Sequence, residues 1–311
     1  MSWFEVKDYR HPEGWNGSDA VERGRACCRV LEEGQILFFG GTPFDLPESD
    51  RQFLLSQKQS DFKGHKNISY RPAQDLMRGA GGSQEDTDRL HAIMRKYSQE
   101  VTRFLQSFLT PYAPHWKLDF ASYRPLEEQS RNLSLHKRND LMHVDAFPSR
   151  PTHGGRILRV FTNINANRGR VWETTDGFNA LAQSFADGAG LKKIAAGAKS
   201  PSRIVVQKLA PVFKAVGVKG ADRSPYDRFM LRFHDYLKGN ADYQQKWTKQ
   251  RMEFPPGSTW LVYTDQVPHA VLSGQYALEQ TFIIPIKAMV APELSPLRVL
   301  ESMCGTELAA V

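Results

Sequence analysis

His143-Val144-Asp145, with His269 far downstream, is the set of residues whose types and spacing can do chemistry in this chain. Two imidazoles and one carboxylate can hold one face of a ferrous ion and leave the other face open for oxygen and a second substrate. Residues i and i+2 of an extended strand point the same way, so His143 and Asp145 would present two ligands side by side. His269 falls in Trp260-Leu-Val-Tyr-Thr-Asp-Gln-Val-Pro-His-Ala-Val271, a strongly β-forming stretch that follows the turn Pro255-Pro256-Gly257-Ser258. Together they describe a metal site between two strands of a β-barrel. Plainer readings exist for each part: Asp145 could cap a turn before Pro148, and His269 could be a satisfied core histidine. His65, His91, His115, His136, His153 and His234 lack a partner at two-residue spacing, and His91 and His234 read as residues of helix surfaces.

A ferrous site of this kind needs an electron-donating cosubstrate, and 2-oxoglutarate is the common one. It is acidic at both ends, so the end away from the metal requires a cation. The planar fork of arginine matches a carboxylate in bidentate fashion. In Arg156-Ile-Leu-Arg159-Val-Phe-Thr-Asn163, residues 159, 161 and 163 share one face, which turns Arg159 inward amid apolar neighbours. Buried arginine is uncommon unless paired, so Arg159 either meets a bound anion or forms an ion pair with a core acid. Arg124, in Tyr123-Arg124-Pro125, is a second cation, and Asn163 and Trp172 are candidate wall residues.

The elements that must position these residues follow from pattern. Asp19 to Glu33 reads as a helix stopped by Gly34, and Gln35 to Phe39 as a short strand. Ser83 with Asp86 resembles a capping box. Leu90, Ile93, Met94, Tyr97, Val101, Phe104, Leu105 and Phe108 then recur at helical spacing up to Pro111. Strands are expected at Trp116–Arg124, Leu141–Phe147, Arg156–Asn165 and around Val171–Glu173. Residues 174–250 turn helical and polar, and 258–288 carry the strongest β character. The expected organisation is one domain over 1–311. It has an N-terminal helical and strand layer (1–115), a β core (116–290) with a helical insertion (about 174–250), and a C-terminal tail (291–311).

Residues 143–165 read His-Val-Asp-Ala-Phe-Pro-Ser-Arg-Pro-Thr-His-Gly-Gly-Arg-Ile-Leu-Arg-Val-Phe-Thr-Asn-Ile-Asn, and Val-Pro-His-Ala-Val-Leu-Ser-Gly-Gln-Tyr follows at 267–276. These strings resemble the Kdo hydroxylases, as do Phe44-Asp-Leu-Pro, His65-Lys-Asn-Ile-Ser-Tyr-Arg-Pro and Phe229-Met-Leu-Arg-Phe-His-Asp-Tyr-Leu-Lys. The resemblance spans nearly the whole chain. It implies an α+β protein with a double-stranded β-helix core (a cupin-like jelly roll) and an iron(II)- and 2-oxoglutarate-dependent dioxygenase. The oxygenase would use O2 to hydroxylate carbon 3 of the sugar acid 3-deoxy-D-manno-oct-2-ulosonic acid (Kdo) in the lipopolysaccharide inner core. It also implies that His143, Asp145 and His269 bind iron and that Arg124, Arg159 and Trp172 contact 2-oxoglutarate. One departure stands out. Many relatives in the wider superfamily carry the cosubstrate arginine about ten residues after the distal histidine, whereas Glu279 and Gln280 occupy that region here. The anchor is then expected at Arg159, with Lys287 as an alternative.

A formal charge of +7 and a pI near 9.2 favour anionic partners. The basic segment from Leu191 to Ala221 holds Lys192, Lys193, Lys199, Arg203, Lys208, Lys214 and Lys219 without an acid. Interspersed apolar residues would let it lie on an anionic membrane surface, although a solvated helix face is an equal reading. His65, Lys66 and Arg71 form a second cationic group that could meet a sugar carboxylate or phosphate. No signal peptide, spanning segment or nucleic-acid motif is evident, and three cysteines do not make a disulfide framework. A cytoplasmic enzyme, peripheral at the inner membrane and acting on a Kdo-containing glycolipid, is the expectation. The rivals are the same chemistry on another lipid, a protein side chain or a nucleobase, and a basic jelly-roll binding protein without catalysis.

Overall fold

The computed structural model describes residues 3–7, 9, 19–57, 67–127, 133–199 and 222–309. Two sheets face each other, and the chain crosses between them repeatedly. The major sheet contains β1 (Trp3–Glu5), β2 (Ile36–Phe39), β3 (Ile68–Arg71), β4 (Leu76–Arg78), β5 (Lys117–Arg124), β6 (Arg156–Asn163), β9 (Thr259–Tyr263) and β11 (Ala277–Ile284), in the order β1-β2-β9-β6-β11-β5-β3-β4. The minor sheet contains β7 (Arg170–Thr174), β8 (Gln250–Phe254) and β10 (His269–Ser273), in the order β10-β7-β8. After β6 the chain passes to β7 and β8, returns to β9, crosses to β10 and returns to β11. That alternation is the expected double-stranded β-helix, with β1 to β4 widening the major sheet at both edges.

Side-chain parity sorts the interior into layers. Leu158 and Val160 of β6, Leu261 and Tyr263 of β9, and Leu278 and Phe282 of β11 face outward from the barrel. There they meet α1 (Asp19–Glu32) and α3 (Gln84–Phe108). Helix α3 presents Leu90, Ile93, Met94, Tyr97, Val101, Leu105 and Phe108 as one buried stripe, and Ser83 Oγ accepts from the Asp86 amide at 3.1 Å to cap its start. The opposite parity, Phe161, Trp260 and Val262, fills the space between the sheets with Trp172, Met252, Phe254 and Val271.

The insertion provides α4 (Phe178–Phe185), α5 (Leu191–Ala198), α6 (Pro225–Gly239) and α7 (Ala241–Lys246). Their apolar faces form a separate cluster with Ala270 of β10, Val144 and the helix α8 (Pro296–Cys304), so residues expected as a tail are partly core. A full capping box joins Ser224 and Asp227, with Pro225 in the first turn, and starts α6 firmly. The helix α2 (Glu48–Ser56) and strands β1, β3, β4 and β8 fall outside the elements that the sequence pattern predicts.

The strand expected at 141–147 is a correction. Only His143 pairs in ladder fashion, bridging His269 through amide–carbonyl bonds of 3.1 and 2.9 Å. The Asp145 amide turns instead to Thr264 O at 2.8 Å, which takes the segment out of the ladder two residues later.

Candidate metal centre

His143 and His269 face each other across that bridge, and Asp145 follows on the same side. The ligand-capable atoms of the three lie within 4.8 Å of one another. Each imidazole is oriented by its own backbone. His143 Nδ1 lies 2.7 Å from Leu141 O, and His269 Nδ1 lies 2.9 Å from Val267 O. A proton on Nδ1 satisfies each carbonyl and leaves the Nε2 lone pair for a metal. Trp172 stacks on His269 with centroids 5.0 Å apart, and His234 meets the His143 ring edge-on at 4.9 Å. The rings therefore have little room to rotate.

Electrostatics favour the ligating forms. Burial holds His143 well below the usual histidine range, reinforced by neighbouring positive charge and opposed by Asp145. Burial likewise lowers His269. For Asp145 burial pushes upward, but Arg159 and the imidazoles outweigh it and keep the carboxyl well below the carboxylate norm. Two neutral imidazoles and one carboxylate in a facial array suit a divalent first-row ion, and iron(II) in particular.

A cavity of about 380 Å³ opens over the triad. Its sheet side is built from alternate residues of β5, β6 and β11: Phe120, Ser122 and Arg124, then Arg159 and Phe161, then Glu279 and Thr281. Glu279 joins the two arginines. Its Oε2 accepts from Arg124 Nε at 3.0 Å, and its Oε1 accepts from Arg159 Nη1. Arg159 Nη2 also lies 3.1 Å from Asp145 Oδ2. Arg159 is thus the paired core arginine of one sequence reading while still lining the cavity of the other. Its Nε and the Trp172 Nε1 are buried donors with no acceptor among the described residues, on two residues that line the cavity, which suits an anionic guest there.

Other candidates fall differently. Asn163 does not line the cavity; its Nδ2 donates to the carbonyls of Arg168 and Phe254, both at 3.0 Å, and pins the end of β6. Lys287 is likewise absent from the wall. Arg71 is set back from the cavity, its guanidinium 4.8 Å from the Phe120 ring centre, while Arg150 covers the same ring at 4.0 Å. His65 and Lys66 lie outside the described residues, as does the basic segment from 200 to 221. Sequence reasoning missed Arg170, Arg150, His234 and Lys238, all of which line the cavity. For Arg170 a signal existed, because it shares the inward parity of Trp172 on β7. Lys238 is 3% exposed, and burial pushes its ammonium down to about 8 against the pull of Asp145, Asp235 and Asp140.

A double-stranded β-helix with a two-histidine, one-carboxylate triad at the mouth of an arginine-lined cavity defines the class of non-haem iron oxygenases. Within that class, residues 14–307 match the family model described as 3-deoxy-D-manno-oct-2-ulosonic acid (Kdo) hydroxylase, and the chain belongs to that family. Among solved structures it is similar to the Kdo hydroxylase KdoO, a non-heme Fe(II) alphaketoglutarate-dependent dioxygenase. The form with alphaketoglutarate and Fe(III) is 32% identical, with a TM-score of 0.81 over 99% of this chain and 97% of that one. The cobalt(II) form gives 32% and 0.82 over 100% and 97%. The form with succinate and Fe(III) gives 31% and 0.80 over 100% and 97%. No curated protein sequence matches the chain. No helix among the described residues is long and apolar enough to cross a membrane.

Proposed function

We propose that this protein is an iron(II)- and 2-oxoglutarate-dependent dioxygenase that hydroxylates a Kdo sugar, at carbon 3, on a lipid A-linked acceptor, releasing succinate and carbon dioxide. The observation that carries the reading is the facial triad of His143, Asp145 and His269 opening into a cationic cavity, in a chain whose family membership extends over residues 14–307. His143, Asp145 and His269 would hold the iron, and Arg124, Arg159 and Trp172 would receive 2-oxoglutarate. Bound iron supplies the oxidising chemistry that replaces a hydrogen by a hydroxyl. The chain's own part is to orient and to exclude water. Nδ1–carbonyl bonds keep both Nε2 atoms aimed at the metal. Stacking by Trp172 fixes the His269 plane, and Phe161 keeps the cavity floor dry. Glu279 holds the two arginine forks where the distal carboxylate can reach them. A work site at the anionic inner-membrane surface accords with the charge of +7 and with exposed Lys192, Lys193 and Lys199.

The test is succinate formation from 2-oxoglutarate by anaerobically iron-loaded protein, started with oxygen, with and without a Kdo-bearing lipid A precursor. Release stimulated by the lipid, with one oxygen atom added to its Kdo by mass spectrometry, is expected. Turnover indifferent to the lipid would reassign the substrate, and bound iron without turnover would leave a binding protein.

A further inference from the structure

Among the described residues, Lys238 is a buried charge beside the triad that no carboxylate pairs. It sits near the end of α6, buried to 3% exposure, and its side chain reaches the cavity wall. Its ammonium has three donors, yet among the described residues it makes one hydrogen bond, to His136 O at 3.1 Å. The nearby acids are engaged elsewhere: Asp235 pairs with His136 at 2.9 Å, and Asp140 with Arg138. No carboxylate of the described residues pairs with Lys238. Lysines are almost never this buried without a partner, because a desolvated, unpaired ammonium is costly. The arginines on the sheet side present the reverse case, since Arg124 and Arg159 already share Glu279.

Position narrows the missing partner. His234 lies one turn before Lys238 on α6 and touches the ring of His143, so Lys238 stands roughly 6 Å farther along the helix. In a 3-deoxy-2-ulosonic acid, the carboxylate and carbon 3 are both attached to carbon 2. A sugar with carbon 3 at the open face of the triad must therefore put its carboxylate close by. The sheet side being reserved for the cosubstrate, the insertion side is where that anion goes.

We infer that Lys238 anchors the carboxylate of the acceptor sugar, with its two remaining donors directed at the anion. The inference rests on the Kdo-glycolipid reading and gives it an orientation: sugar acid toward α6, 2-oxoglutarate toward β6 and β11. Lys137, exposed at the cavity mouth, adds a second positive charge on the path inward.

The experiment compares wild type, Lys238→Met and Lys238→Arg, at saturating iron(II) and 2-oxoglutarate, on three acceptors. These are the Kdo-bearing lipid A precursor, its sugar methyl ester and its dephosphorylated form. Lys238→Met should raise KM for the acid about ten- to hundredfold, the range for a hydrogen bond to a charged group. Lys238→Arg should recover part of the loss. On the methyl ester, wild type and Lys238→Met should converge, whereas an improperly folded variant would stay worse on every acceptor. Equal KM values on the acid, or an equal gap on acid and ester, would overturn the assignment. Convergence on the dephosphorylated acceptor alone would give Lys238 to a phosphate and overturn it too. Failure of wild type to turn over any acceptor would sink the functional reading first, and this one with it.

Discussion

The two walls of the cavity are both cationic, yet they are built on opposite principles. On the sheet side, Arg124 and Arg159 come from strands β5 and β6, at the centre of a continuous ladder, and Glu279 of β11 binds both. On the insertion side, His136, Lys137, His234 and Lys238 come from a short connecting segment and from α6. There the charge rests on lysine, which can lose its proton, and the one carboxylate that pairs with this wall among the described residues, Asp235 on the exposed His136, lies toward the rim. A wall of permanent, pre-paired charge suits a small cosubstrate bound in the same way at every turnover. A wall of adjustable, partly unpaired charge suits a larger acceptor that brings its own anion. The triad lies at the seam, with His143 and Asp145 from the connecting segment and His269 from the minor sheet.

The largest expected effect comes from breaking that seam. Replacing His143 or Asp145 by Ala removes a proposed metal ligand, so lipid-stimulated succinate release should fall by at least about a hundredfold, beyond the usual cost of losing a mere supporting residue. Metal content after dialysis checks the cause. The two variants should differ in stability, because Asp145→Ala also strips Arg159 of one of its two acid neighbours. Full activity in either variant would dissolve the proposed ligand set.

Next comes the sheet wall. Arg159→Ala should raise KM for 2-oxoglutarate about ten- to hundredfold, the range for losing hydrogen bonds to a charged group. It also leaves Glu279, 3% exposed, with Arg124 as its remaining arginine. Removing one partner from a buried ion pair typically costs about 3–5 kcal/mol, and the partial pairing that survives should keep the loss toward the lower end. A denaturant titration measures this alongside the kinetics. An unchanged cosubstrate requirement with reduced stability would make Arg159 purely structural and erase the contrast between the walls.

Legibility from sequence differed between the walls in the same way. The sheet side obeys a period of two, so Arg159 and Phe161 could be placed on one inward face from Arg156–Asn163 alone. Parity failed at Asn163 because the strand ends there, and a side chain of the right parity was recruited to tie down the 254–255 and 168 backbone. Glu279 drew notice as an acid where a cation was expected. Its role as the link between two arginines needed the register that sets β11 between β5 and β6. Strand β8 was legible in principle, since Met252 and Phe254 alternate with charged residues. The insertion side hid more. The sequence read His234 as a residue of a helix surface, and nothing in it showed that His234 would meet Val144 O and Lys238 His136 O, with both lining the cavity. His143 and Asp145 were legible as companions of His269, and the structure brings the ligand-capable atoms of the three within 4.8 Å, even though the strand expected to carry them is a single bridge.

The difference in titratability gives the smallest and sharpest prediction. Arginine stays protonated at any pH the protein will survive, so KM for 2-oxoglutarate should be flat between about pH 7 and 9 on account of the sheet wall. Lys238 is different, because burial brings its ammonium down to about 8 from the ordinary 10.5. Below pH 8 it is charged and can hold an anion; above pH 8 it is increasingly neutral. KM for the acidic acceptor should therefore rise about tenfold per pH unit once that pKa is passed, with the break set by the free enzyme. The stability sign runs the same way for this group. Between pH 8 and 10.5 the unfolded chain keeps a proton that the folded lysine has shed, so Lys238 alone makes folding more favourable as pH rises through that window. Weaker acceptor binding above pH 8 then cannot be ascribed to unfolding caused by Lys238. KM profiles for both substrates, with a melting curve at each pH, separate the cases. A glycolipid KM as flat as that of 2-oxoglutarate would mean that the insertion wall contributes shape but no titrating charge.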